Sequence, residues 1–146
     1  WAKYSEGTQI MSSDHKYMDI DGKMVALEDL RGKYVYIDVW ATWCGPCKAE
    51  LPYLKKLEEK FEGKNIYFVS ISIDANKAAW IKMVQEDHLG GIQLHGGNKA
   101  QIAKDYAIKA IPRFILLDRE GKVINKEMTR PSDSETEETL NALEGI

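Results

Sequence analysis

The chain has 146 residues, 44% of them hydrophobic, with 20 Lys and Arg against 23 Asp and Glu for a formal charge of −3. That length fits one domain able to bury a core without a disulfide framework or a structural metal. The near balance of charge gives no electrostatic reason to expect nucleic acid or an anionic membrane as a partner, and no run approaches the roughly 20 apolar residues that span a bilayer.

Residues 1–16 are polar and mixed, with Ser5, Glu6, Gly7, Ser12, Ser13 and Asp14 among them, and read as an N-terminal arm. Residues 17–146 read as the folded domain. The first twenty residues have no apolar signal-peptide centre. The chain opens on Trp1 rather than Met, as a processed or excised piece would, with a targeting signal, lipid anchor or upstream domain lying outside it. A membrane would be met only through such an anchor.

Two short apolar runs, 17–20 and 23–27, flank Asp21-Gly22, a dipeptide that supplies the positive φ angles of a tight hairpin turn. After Asp29 to Lys33, the segment 34–40 (Tyr-Val-Tyr-Ile-Asp-Val-Trp) is apolar at nearly every position, as in a central strand covered on both faces. Residues 46–61 turn helical, with Leu51, Leu54, Leu57 and Phe61 on one side and Lys55, Lys56, Glu58 and Glu59 on the other, and Gly63 ends the run. A second buried strand follows at 66–73, then a helix over 76–88 with Trp80, Met83 and Val84 inward.

Gly90-Gly91 and Gly96-Gly97 bracket residues 92–95, which read as a short strand, with His95 in a solvated loop. Residues 99–106 form a short helix. Residues 114–117 and 123–124 make a second hairpin around Asp118 to Gly121. The last helix begins at a capping box, Ser134 with Glu137 or Ser132 with Glu135, and turns Leu140 and Leu143 inward. The order implies an α/β fold in which a central mixed β-sheet is flanked by helices, with an N-terminal β-hairpin added.

The two cysteines, Cys44 and Cys47, stand three apart, so a disulfide within one chain joins these two. They fall where a strand runs into a helix. Unpaired N–H groups and the positive end of the helix dipole favour a thiolate there, which lowers the expected pKa of Cys44. Pro46 tolerates the first turn because its missing N–H would have had no partner, and Gly45 lets a substrate backbone come close. A thiolate at Cys44 can attack a disulfide, and Cys47, one turn deeper, can resolve the mixed disulfide. The bland alternatives are two unrelated structural cysteines or a zinc half-site, but zinc usually takes four ligands and His15, His88 and His95 are scattered.

The segment from Asp38 to Cys47 (Asp-Val-Trp-Ala-Thr-Trp-Cys-Gly-Pro-Cys) resembles the active-site segment of thioredoxins. Residues 47–52, the preceding hairpin, Ala110-Ile111-Pro112 and residues 117–121 are similar to the TlpA/ResA-like branch, over roughly residues 17–144. The resemblance implies a thioredoxin fold and a thiol–disulfide oxidoreductase without a cofactor. Its partners would be protein disulfides and an electron-donor thiol protein, and its place would be extracytoplasmic. The Gly-Pro pair, shared with thioredoxin, favours the reductive direction, although compartment and recharging partner set it.

Other residues acquire roles from the same comparison. Asp38, a carboxyl group in an apolar strand, should have its pKa raised by burial. It matches the acid that exchanges protons with the second cysteine in thioredoxins. Glu50 lies one helical turn after Cys47, where the branch carries a functional acid, although a Glu in a helix's second turn is usually solvated. Pro52 should kink the helix by removing the hydrogen bond to the Lys48 carbonyl. Ile111-Pro112 matches the family's cis-proline loop, which offers backbone to an extended substrate, and Arg113 adds a positive charge where thioredoxins commonly have Thr. Trp43 fits the docking rim, while Trp40 and Trp80 fit the core. A protein- or peptide-binding module with incidental cysteines is the competing function. Thiol peroxidase chemistry lacks its Pro-x-x-x-Thr-x-x-Cys setting.

Overall fold

The computed structural model describes residues 15–146. The arm assigned to 1–16 therefore lies outside the described residues except at its end. There His15 is fully buried with Nε2 3.1 Å from Asp105 Oδ2, and Lys16 opens the first strand.

Seven strands form one sheet: β1 (Lys16–Asp19), β2 (Met24–Ala26), β3 (Tyr34–Trp40), β4 (Ile66–Ser72), β5 (Ile92–His95), β6 (Arg113–Leu117) and β7 (Val123–Asn125). Their order is β2-β1-β5-β4-β3-β6-β7. β3, β4 and β5 run parallel, because α1 (Gly45–Lys60) and α2 (Lys77–Glu86) carry the chain back between them. Both hairpins add antiparallel strands, β1 against β5 and β6 against β3. All seven residues of β3 are buried, as its unbroken apolar run predicts.

The two hairpin turns are built alike, and neither is the two-residue turn expected around Asp21-Gly22. In the first, Asp19 N–H donates to the Lys23 carbonyl at 2.8 Å and Gly22 N–H to the Asp19 carbonyl at 3.1 Å. In the second, Asp118 and Lys122, then Gly121 and Asp118, repeat those bonds at the same distances. The Asp19 and Asp118 carboxylates each accept two further backbone N–H groups inside their turns. Gly22 and Gly121 both sit at φ 85°, the left-handed position that closes this longer turn.

Side chains of the central strands divide between two faces. Ile37, Val39, Val69, Ile71, Leu94, Ile115 and Leu117 pack against Leu27 and Leu30 of a 3-10 turn and against Ile102 and Tyr106 at α3 (Gln101–Asp105). That 3-10 turn, Leu27–Leu30, lies where the sequence reads as a strand end followed by punctuation. Tyr36, Phe68, Phe114 and Leu116 face Leu54, Leu57 and Phe61 of the α1 segment and Leu140 of α4 (Ser134–Asn141). Trp40, Trp80 and Val84 form a third cluster with both cysteines, which puts Trp40 and Trp80 in the core as expected. The α4 cap is Asp133, whose carboxylate accepts Glu135 N–H at 2.9 Å, rather than either proposed serine.

Candidate active site

At the carboxyl end of β3 the chain passes through Ala41, Thr42 and Trp43 into α1. This short passage is held by Asp74, which is 1% exposed just beyond β4. Its carboxylate accepts Thr42 N–H at 3.1 Å, Thr42 Oγ1–H at 2.7 Å and Ser72 Oγ–H at 2.5 Å. The Asp74 carbonyl lies 2.8 Å from His95 Nε2, and the His95 ring packs on Trp80. His95 is thus a half-buried residue of β5 holding this clamp, not a solvated loop residue.

Cys44 is the N-cap of α1, with extended backbone at φ −90° and ψ 108°. Its Sγ accepts the Cys47 N–H at 3.2 Å, so the sulfur takes the place usually filled by a capping oxygen. Cys44 and Cys47 are joined as a disulfide with Cα atoms 5.3 Å apart. Both are covered, at 5% and 4% exposure, while Trp43 beside them is 68% exposed and Gly45 and Pro46 are also open. Exposure therefore does not distinguish the two sulfurs in this state; helix position does.

The Ile111–Pro112 bond is cis. It sets the Ile111 carbonyl oxygen 3.9 Å from Cys44 Sγ, and the Ile111 side chain packs on the cysteine cluster. Arg113, the next residue, is turned aside. Its Nε donates to the Lys126 carbonyl at 3.0 Å, and Nη2 lies 3.6 Å from Glu127 Oε1.

Asp38 lies one pleat below Trp40 on the same face of β3 and is buried. Its Oδ1 accepts Ser70 Oγ–H at 2.5 Å. Burial pushes its pKa up to about 7, against the lowering effect of Ser70 and a backbone N–H. Burial also raises the Tyr36 hydroxyl, assisted by the negative charges of Asp38 and Glu50. Glu50 is buried rather than solvated, at 8% exposure, and its carboxylate accepts Ser132 N–H at 2.9 Å and Ser132 Oγ–H at 2.8 Å. Pro52 stands exposed within the unbroken span of α1.

The structure thus gathers Trp43, Cys44, Gly45, Pro46, Cys47 and the Ile111-Pro112 loop at one end of the molecule, with Asp38 below them. It directs Glu50 toward Ser132 and Arg113 toward the β7 side. Sequence reasoning missed Asp74, Ser70 and Ser132. An acid two residues beyond the end of a central strand, beside the loop leading to Cys44, was the available signal for Asp74.

The Redoxin family matches residues 6–143. The thiol-disulfide oxidoreductase ResA of Bacillus cereus is 33% identical over 109 residues, 74% of this chain and 62% of its own length. The chain therefore spans about six tenths of that relative. A Bacteroides vulgatus protein described as a thiol-disulfide oxidoreductase, solved in solution, is 60% identical. It superposes with a TM-score of 0.82 over 89% of this chain and 87% of its own. A second Bacteroides vulgatus structure so described, a crystal structure, is 33% identical with a TM-score of 0.87, covering 97% and 99%.

Proposed function

Because this chain belongs to the Redoxin family, among the ResA-like thiol–disulfide oxidoreductases, we propose that it reduces disulfides in other proteins through a mixed-disulfide intermediate. The observation that carries this reading is the Cys47 N–H aimed at Cys44 Sγ at 3.2 Å, at the start of a sixteen-residue helix. A donor and a dipole end that favour negative charge there make Cys44 the attacking thiolate.

In the reduced protein the Cys44 thiolate attacks one sulfur of a substrate disulfide, and the other sulfur leaves as a thiolate that takes a proton. Cys47 then loses its proton and attacks Cys44 Sγ, expelling the second substrate thiol. Two electrons pass from the dithiol to the substrate, and the chain is left as the disulfide. Asp38 receives the Cys47 proton; a buried carboxyl titrating near 7 is matched to that exchange at neutral pH. Glu50 shapes the charge around the pair from α1. Trp43, Gly45 and Pro46 form the rim on which substrate rests, and Ile111 and Pro112 offer backbone to an extended segment, with Arg113 at the margin. A thiol protein outside the cytoplasm returns the electrons.

The test is insulin reduction by the full chain. Wild type precipitates insulin chains in the presence of dithiothreitol, and Cys44→Ser loses that activity. Cys47→Ser keeps the attack and accumulates mixed disulfides on non-reducing gels. Turnover surviving in Cys44→Ser would refute the mechanism. Partners bound only noncovalently to Cys47→Ser would favour a binding module instead.

A further inference from the structure

Three polar side chains stand in one row across the α1 side of the sheet. Asp38 of β3 is in register with Ser70 of β4, and Ser70 with Gln93 of β5. Apolar layers enclose the row, with Tyr36 and Phe68 on one side and Trp40 and Trp80 on the other. Polar groups buried in such a layer are costly unless each finds a partner.

Ser70 meets Asp38 at 2.5 Å. Gln93, 6% exposed, donates from Nε2 to the Gly90 carbonyl at 2.8 Å, which fixes the amide orientation because a carbonyl oxygen only accepts. Its Oε1 is buried and has no hydrogen-bond partner among the described residues. The row ends at a cavity of about 200 Å³ between α1 and the turn after α2, lined by Leu51, Leu54, Glu58, His88 and Gln93. That volume holds several waters at about 30 Å³ each.

We propose that this row is a proton exit for the active site. Ser70 and a water held by Gln93 Oε1 carry the proton that Asp38 takes from Cys47 into the cavity, away from the face where substrate docks. The inference rests on the role given to Asp38 above. Both cysteines are nearly covered even without a partner, so a docked substrate closes the direct way out.

In the step itself the Ser70 hydroxyl, which donates to the Asp38 carboxylate, turns toward the water once Asp38 is protonated. The Asp38 carboxyl then gives its proton to Ser70 Oγ while the Ser70 hydroxyl gives its own to the water. The water passes a proton to Glu58 or to solvent, Asp38 is left as a carboxylate, and no electrons move. The charge of Asp38 acts on Tyr36 of β3 and on Glu58 of α1, and Glu50 of α1 acts on Tyr36. Lys55, Glu58, Asp87 and His88 face the cavity. Partial burial, with Asp38 and Glu59 adding to it, pushes the Glu58 carboxyl up to about 7, which suits it to take a proton near neutrality.

The experiment follows single-turnover reduction of a disulfide substrate from pH 6 to 9 in H₂O and D₂O, with Cys44 alkylation and thermal melting as controls. Gln93→Met and Ser70→Ala should each slow resolution roughly tenfold at neutral pH and enlarge the solvent isotope effect. Cys44 alkylation should remain at the wild-type rate, and Ser70→Thr, which keeps the hydroxyl, should retain wild-type resolution. Wild-type rates and isotope effects in Gln93→Met and Ser70→Ala, with Asp38→Asn slow, would overturn the exit and leave the proposed function standing. A wild-type Asp38→Asn would overturn both the exit and the role given to Asp38, leaving disulfide reduction by Cys44 to its own test. Equal slowing in Ser70→Thr and Ser70→Ala would reduce the row to packing and overturn the exit alone.

Discussion

The two faces of the central strands share one backbone but bury different chemistry. Toward α3, Ile37, Val39, Val69, Ile71 and Leu94 form an aliphatic layer. Toward α1, the same strands present two apolar clusters split by Asp38, Ser70 and Gln93, with the cysteines at one end. The α3 side supplies cohesion, which transfer of apolar surface from water provides. The α1 side gives up part of that gain to enclose a carboxyl group, the one to which we assign proton exchange. Buried polarity thus marks the chemical side of the sheet.

This contrast is broken most severely by a cavity in the aliphatic layer. Ile37→Ala should lower unfolding free energy by about 2 to 5 kcal/mol, yet leave kcat of the folded protein at the wild-type value. Urea titration and insulin reduction measure the two; a matching loss of kcat would mean that the faces are not separate in function.

The next largest effect belongs to Asp38, and its sign follows from the direction of its shift. With the folded pKa at about 7 against an ordinary 3.8, the native state holds a proton that the unfolded chain releases. Stability from this group is fully present below pH 4 and is lost as pH rises through 7. The shift corresponds to roughly 4 kcal/mol. Asp38→Asn should therefore flatten the decline, with a gain over wild type that grows between pH 5 and pH 8 in urea midpoints. A constant difference across that range would remove Asp38 as its source.

Glu50 sharpens the comparison at the smallest scale, because it is the α1-face acid whose partners are already satisfied. Glu50→Gln sets an amide against two Ser132 donors and should cost about 1 to 2 kcal/mol. It should also disturb the pH profile of turnover less than Asp38→Asn does. A reversed ranking in steady-state profiles would shift proton handling from β3 to α1.

The layout of strands and helices was readable because its signals are local: an unbroken apolar run at 34–40, helical spacing over 46–61, and Asp-x-x-Gly-Lys in both turns. The redox pair was readable for the same reason, since its spacing fixes its geometry. Glu50 looked solvated because its partner, Ser132, lies far along the chain. Asp74 escaped notice because its value comes from Thr42, which only strand pairing brings within reach. Ser70 and Gln93 are unremarkable letters until register aligns them with Asp38. What the residue order withheld were partnerships across strands.

Among the described residues the sheet is bounded by β2 and β7, each of three residues. Borders this short give a passing polypeptide few free amide and carbonyl groups to zip onto. The fold therefore exposes little template along which copies of this chain or other polypeptides could polymerise.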